Sequence, residues 1–187
     1  MKRIALLASF AMTFTAISGA DAAMMAYLRI AGQKSGEVKG GITQKGRENT
    51  IGVIAMDHTI VSPRDPQSGL PTGLRQHKIF TIRKELDKSS PVLWNILATS
   101  ENLKTVTLQF WTPQISSSSG VGAEVQNYTI TLTNANIASM RMVKENVRNP
   151  ELMKYADYEE ISFTYESIVW TWTQGGITAG DSWTARH

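Results

Sequence analysis

Along most of the chain, apolar and polar residues alternate with a period of two. In Thr105-Val-Thr-Leu-Gln-Phe, Val106, Leu108 and Phe110 fall on one face, and Thr105, Thr107 and Gln109 on the other. That alternation marks a half-buried strand. Tyr128, Ile130 and Leu132 repeat it, separated by Thr129 and Thr131. Ile161, Phe163 and Tyr165 do so again, and the apolar phase then slips to Ile168, Trp170 and Trp172. A slip near Glu166-Ser167 predicts a β-bulge in one long bent strand, because successive strand residues face opposite ways. Further strands are predicted over 26–31, 51–56, 78–83 and 134–143, the last with Ile137 and the methionines as its apolar members.

One segment breaks the period. Ser89-Ser90-Pro91 offers an N-cap serine ahead of a proline in the first helical turn, where a missing N–H costs nothing. Leu93, Trp94, Ile96 and Leu97 follow at helical spacing and predict a core-facing stripe. Trp170 and Trp172 also fall on predicted core faces. The fold class expected is mainly β: a compact antiparallel β-barrel or sandwich of two sheets, with one flanking α-helix over about 89–100.

Two loops interrupt the strands. Ser116-Ser117-Ser118-Ser119-Gly120-Val121-Gly122 reads as a hairpin tip. The other, HTIVSPRDPQSGLPTGLRQH over 58–77, is longer than a compact domain normally carries. Pro63, Pro66 and Pro71 stiffen it, Gly69 and Gly73 permit sharp turns, and Leu70 and Leu74 are left exposed unless something covers them. Two readings follow: a stiff excursion that meets a partner surface, or a loop folded over its own barrel.

Composition narrows the class. The chain has 187 residues, 42% of them hydrophobic and 19% charged, which suits one globular domain with a proper core. Nineteen Lys and Arg against 16 Asp and Glu give a net charge of +3, with no basic run. So small a surplus argues against nucleic acid or an anionic membrane surface as a partner. Cysteine is absent, which excludes disulfides, thiol chemistry and Cys-ligated metal.

The first 24 residues have their own pattern. Lys2-Arg3, the apolar run Ile4–Ile17 and Ala20-Asp21-Ala22 have the layout of a Sec signal peptide, and the run is too short to span a bilayer. Met24-Met25 then opens what reads as a soluble domain, 25–187. Either the protein is exported with cleavage after Ala22, or translation starts at Met24 or Met25. No stable membrane insertion is expected.

The chemical inventory is thin. His58, His77 and His187 have no ligand-like spacing with carboxylates, so neither a metal nor another cofactor is expected. Asp57 and His58 are strand neighbours and point to opposite faces, as do Glu159 and Glu160, so neither pair can cooperate directly. The serine run lacks a G-x-S-x-G elbow, and Gly32-Gln-Lys-Ser-Gly36 lacks the order of a phosphate loop. No active site is expected, and the protein is read as non-enzymatic.

The run MDHTIVSPRDPQSGLPTGLRQHKIFTIRKELDKSSPVLWNIL resembles the haemolysin co-regulated protein (Hcp) family of bacterial type VI secretion systems. His58, Pro63, Asp65, Ser68-Gly69, Thr72-Gly73, Arg75 and His77 carry the likeness, followed by Lys84-Glu85, Asp87 and Ser89-Ser90-Pro91. Ile168-Val169-Trp170-Thr171 and Asp181-Ser182-Trp183 extend it in family order. The resemblance implies a structural tube subunit whose compact barrel carries an extended loop at 58–77. Six copies would form a ring with a wide pore, and rings would stack into a tube inside a contractile sheath, tipped by a spike protein. The tube would assemble in the cytoplasm, be expelled into the surroundings or a target cell, and hold effector proteins in its pore. Pro63, Asp65, Gly69, Leu70, Thr72, Gly73, Leu74 and Arg75 are the expected packing residues between subunits or rings. Family members begin near the position of Met25 without a cleavable signal, so residues 1–24 depart from the pattern. They sustain a second reading: a Sec-exported periplasmic or extracellular β-sandwich binding module, with Trp111 and Trp183 as candidate stacking residues.

Overall fold

A computed structural model describes residues 25–114 and 123–184. Residues 1–24, which carry the signal-peptide reading, and Ser116–Gly122 of the serine-rich tip lie outside the described residues.

The alternating segments form β1 (Met25–Gly32), β2 (Glu37–Val38), β3 (Ile51–Asp57), β4 (Ile60–Val61), β5 (Gln76–His77) and β6 (Phe80–Glu85). After the helix α1 (Ser90–Ala98) come β7 (Leu103–Gln114), β8 (Ala123–Val143), β9 (Tyr158–Thr164), β10 (Ser167–Trp172) and β11 (Ile177–Ser182). The path β8-β7-β1-β3-β6-β9 returns to β8, so six antiparallel strands close a barrel and leave no open edge around its circumference. Leu28, Ile51, Ile82, Leu108 and Ile161 fill its interior, each almost wholly shielded from solvent.

Closure depends on the length of β8. The two strands predicted over 128–132 and 134–143 are one 21-residue strand that serves three neighbours, β7 along one edge and β10 and β9 along the other. Residues up to Ala135 pair with β7, and Asn136 to Val143 pair with β9. The corner lies at Asn134, whose φ of 48° is in the left-handed region that asparagine tolerates better than most residues.

Strands β9 and β10 follow one edge of β8, from Tyr158 opposite Val143 to Trp172 opposite Tyr128. The chain keeps to one edge of β8 as predicted, but as two strands interrupted at Tyr165-Glu166 rather than as one long strand with a one-residue bulge. Tyr165 and Glu166 drop out of the ladder opposite Asn134 and Ala135, two residues facing two, while the Glu166 amide still donates to the Thr133 carbonyl at 3.0 Å. Tyr165 and Ile168 are both buried across this break, which is the phase slip seen in the sequence. The extra residue sits on the partner strand, at Ala138. Past the break, β10 and β11 form a hairpin that leaves the barrel wall.

Helix α1 inserts Leu93 and Ile96 into the core, and Leu97 packs partly against it. Trp94 is not part of that stripe: it lies at the surface and donates its Nε1–H to Glu159 at 2.9 Å. Trp172 likewise departs from its predicted core position and is 41% exposed, whereas Trp170 packs on the core edge. Ser89 precedes the helix as expected, but its hydroxyl donates to Asp87 rather than capping a backbone N–H.

Beneath the helix start lies a polar knot within a mostly apolar interior. Lys84 Nζ, wholly buried, donates to Glu159 Oε2 and Ser90 Oγ, both at 2.9 Å, and lies 3.2 Å from Asp87 Oδ1. Burial pushes the Glu159 carboxyl up, but hydrogen bonds from Lys84, Ser90 and Trp94, with the Lys84 charge, outweigh it and hold the group below its ordinary range.

Candidate functional site: the arm and its anchor

The 58–77 segment is not an irregular loop. Its two halves pair as a narrow ribbon, with Ile60 opposite His77 and Val61 opposite Gln76. The pairing continues outward through the Thr72 amide to the Pro63 carbonyl at 3.0 Å and a bridge between Arg64 and Pro71. At the tip, Asp65 Oδ1 accepts from the amides of Gln67 and Ser68, at 3.1 and 2.7 Å, and from the Ser68 hydroxyl at 2.8 Å. The Asp65 amide donates to Leu70 and the Gly69 amide to Asp65, closing the turn. Gly69 has φ +70°, a conformation that costs glycine nothing. Backbone and side-chain hydrogen bonds from Ser68 hold the Asp65 carboxyl below its usual range.

Of the residues singled out in the sequence, Pro63, Asp65, Gly69, Thr72 and Gly73 build this arm. Leu70 and Leu74 are 65% and 61% exposed, so the arm does not fold them back onto its own barrel. Val61 and Ile79 add exposed apolar surface nearby.

Arg75 belongs to a different structure, the anchor at the base of the arm. Its guanidinium makes a bidentate pair with Asp181, using Nε and Nη2. His77, with a side chain only 1% exposed, lies beside that pair with Nε2 3.1 Å from Asp181 Oδ2. Its other nitrogen, Nδ1, is 2.8 Å from Tyr165 Oη, and His58 Nε2 reaches the same hydroxyl at 2.7 Å. Trp183 stacks on the His77 ring, with centroids 5.7 Å apart and planes inclined by 23°. His58 packs against Phe80, 5.3 Å between centroids.

Electrostatics fit the geometry. Hydrogen bonds from Arg75 hold the Asp181 carboxyl below its ordinary range against the effect of partial burial. Burial, then the Asp181 charge, pushes the Tyr165 phenol up to about 12, so its proton stays in place as a donor. Burial lowers the pKa of His58, the nearby His77 lowers it further, and Asp57 opposes the shift only in part.

Tyr165 and Asp181 were not legible as anchor residues. His77 is 88 positions from Tyr165 and 104 from Asp181, and no local pattern announces contacts across such distances. The available signals were separate ones: Arg75 and His77 in the arm, Asp181-Ser182-Trp183 near the end, and the apolar phase slip that follows Tyr165. The tryptophans offered as stacking surfaces are occupied on one face. Trp183 lies on His77, and the Arg47 guanidinium sits 4.7 Å over Trp111 and 4.9 Å over Tyr27. Among the described residues, no group of three or more His, Asp or Glu side chains is placed to hold a metal ion. Among the same residues, no helix is long and apolar enough to cross a membrane.

Comparison with known proteins places this geometry in context. The family model described as "Type VI secretion system effector, Hcp" matches residues 27–172. The "Major exported protein" of Pseudomonas aeruginosa is 34% identical over 167 residues, covering 84% of this chain and 94% of that protein. Among solved structures, Hcp1 of Escherichia coli EAEC 042 is 28% identical with a TM-score of 0.72, covering 86% of this chain and 99% of the other. The secreted protein Hcp3 of Pseudomonas aeruginosa is 26% identical with a TM-score of 0.67, covering 87% and 100%.

Proposed function

We propose a function from one premise: the chain belongs to the Hcp family of type VI secretion proteins. It acts as a structural subunit of the inner tube, without enzymatic activity. Six copies form a ring around a pore, and rings stack into a tube that assembles in the cytoplasm. Sheath contraction expels the tube and its spike, so the protein is secreted, and effector proteins travel in the pore. Its partners are copies of itself, the sheath and spike proteins, and those effectors.

The observation that carries this reading is the arm. A closed barrel leaves no open strand edge around its wall for copies to share. The arm instead offers a rigid, hydrogen-bonded projection with Leu70 and Leu74 uncovered. Identical subunits closing a ring need a heterologous contact, one patch meeting a different patch on the next copy, and a stiff arm is suited to that. Pro63, Asp65, Gly69, Thr72 and Gly73 shape the arm, Leu70 and Leu74 pack against a neighbouring subunit or ring, and Arg75 fixes its base. The relatives named as exported and secreted support release from the cell.

Electron microscopy of the purified protein tests the proposal. Wild type is expected to give ring-shaped hexamers that stack at high concentration. Leu70→Asp and Leu74→Asp place a charge where an apolar contact is proposed and are expected to reduce stacking, while circular dichroism and melting of the monomer stay unchanged. A strictly monomeric wild type at high concentration would overturn the tube reading. Tubes forming normally in both variants would remove the arm from it.

A further inference from the structure

Tyr165 has one hydroxyl proton and two imidazole partners, which constrains the whole anchor. His77 Nε2 faces a carboxylate already bound by Arg75, so Nε2 carries a proton and donates to Asp181 Oδ2. In the neutral ring Nδ1 is then an acceptor, and it receives the Tyr165 proton. With its proton committed, the Tyr165 oxygen can only accept from His58 Nε2–H. The result is a one-way chain, His58 to Tyr165 to His77 to Asp181, with each contact between 2.7 and 3.1 Å and each donor matched.

A proton on each ring breaks this order. With one ring charged, the neutral one can still take the phenol's proton by presenting its unprotonated nitrogen, but with both charged, two imidazole N–H groups point at one phenol oxygen and the phenol's own proton has no acceptor. A proton added to His58 places charge in a partly buried site, where burial and the neighbouring His77 already disfavour it. The surrounding charges do not relieve either case. From the arm, Arg75 already neutralises Asp181, and Lys78 is exposed and turned to Gln76. From the end of β3, Asp57 is an exposed carboxylate beside His58, and it opposes that residue's downward shift only in part. Glu166, next to Tyr165, is exposed and bound to Asn134.

We infer that His58, Tyr165 and His77 form an acid-opened latch that holds the arm in its assembling pose at neutral pH and frees it in acid. This rests on the assembly role given to the arm above. It concerns how the pose is held rather than what the arm meets. The latch joins both ends of the arm, His58 where it leaves the barrel and His77 where it returns, to one tyrosine at the kink between β9 and β10. A histidine whose folded pKa is depressed is most stable neutral, so the latch is intact above the ordinary histidine value of 6.5 and weakens as pH falls below it.

The chain has no cysteine, so Ser62→Cys, on an exposed arm position, gives a unique site for a nitroxide label. Electron paramagnetic resonance is expected to show an immobile label at about pH 8 and a mobile one at about pH 5, the open-to-closed ratio rising by at most about tenfold per pH unit for each proton taken up. Tyr165→Phe is expected to leave the label mobile at both. In His58→Gln/His77→Gln, the amides supply a donor and an acceptor without titrating, and the label is expected to stay immobile throughout. Mobility that is flat in wild type, or that rises equally in the double glutamine variant, overturns the latch. Should that variant fail to fold, NMR titration of the two histidine rings in wild type decides instead, and an arm that opens while both rings stay neutral overturns it. Sedimentation velocity on the same samples separates the two readings. A chain that is monomeric at every pH defeats the tube proposal, while the label still reports on the latch.

Discussion

Lys84 and Arg75 each hold a carboxylate supplied by a strand far away in sequence, yet the two pairs serve different ends. Lys84 and Glu159 are fully buried between adjacent barrel strands, with Ser90, Asp87 and Trp94 completing their hydrogen bonds. Arg75 and Asp181 are 20% and 16% exposed and join the arm to the β10–β11 hairpin, outside the barrel wall. The first knot ties the helix start to the barrel and belongs to the monomer's stability. The second ties down a projection with little core of its own. The same chemistry is therefore structural in one place and positional in the other. What separates them is which elements are joined and how completely water is excluded.

Removing one member from each network tests that separation. Lys84→Met strands a buried carboxylate, and breaking a buried pair in this way costs about 3–5 kcal/mol. Chemical denaturation should show that loss in full, and Lys84→Met/Glu159→Leu should recover most of it because no buried charge remains. A single variant that unfolds no more easily than wild type would mean that the pair contributes nothing to the barrel. Asp181→Asn should cost less, about 1.5–3 kcal/mol as the loss of charged hydrogen bonds, since Arg75 can turn to water. Its larger effect is expected on the arm, with faster amide exchange at Val61 and Gln76 and fewer rings in micrographs. Equal exchange in the variant and wild type would return Asp181 to an ordinary stabilising role.

Much of this contrast was hidden in the sequence for a physical reason. The alternation of Val106, Leu108 and Phe110 reports burial directly, because each strand residue announces its own face, and the barrel strands were legible from it. The helix start was legible because Ser89-Ser90-Pro91 is local chemistry. The divergence of Glu159 and Glu160 was also readable from strand geometry. Their partners were not, because Lys84 opposite Glu159 follows only from the register of β6 against β9. The arm was visible as prolines and glycines without a strand pattern, and its exposed leucines followed. Its anchor depends on three contacts closed across roughly a hundred residues, and tertiary structure alone supplies those. Trp94 and Trp172 show the opposite failure. Their apolar character placed them inside, but Trp94 has a polar N–H to satisfy and Trp172 sits where the sheet runs past the core.

The smallest expected effect is the most discriminating, because it lies one residue away from the largest. Arg83 pairs with Glu160 in the ladder step next to Lys84 and Glu159, at 2.9 Å, the same distance as the buried pair. The pleat turns this step outward, leaving Arg83 54% exposed. Hydrogen bonding to Glu160, then its charge, raises the Arg83 pKa, so the contact is formed and correctly signed. In water, however, both groups keep most of their hydration when separated, and salt screens what attraction remains. Arg83→Ala is therefore expected to shift the denaturation midpoint by no more than the measurement error, and less still in high salt. If it destabilised the barrel as much as Lys84→Met, bond geometry rather than exclusion of water would set the value of an ion pair here. The contrast between the inner knot and the arm's anchor would then need another cause.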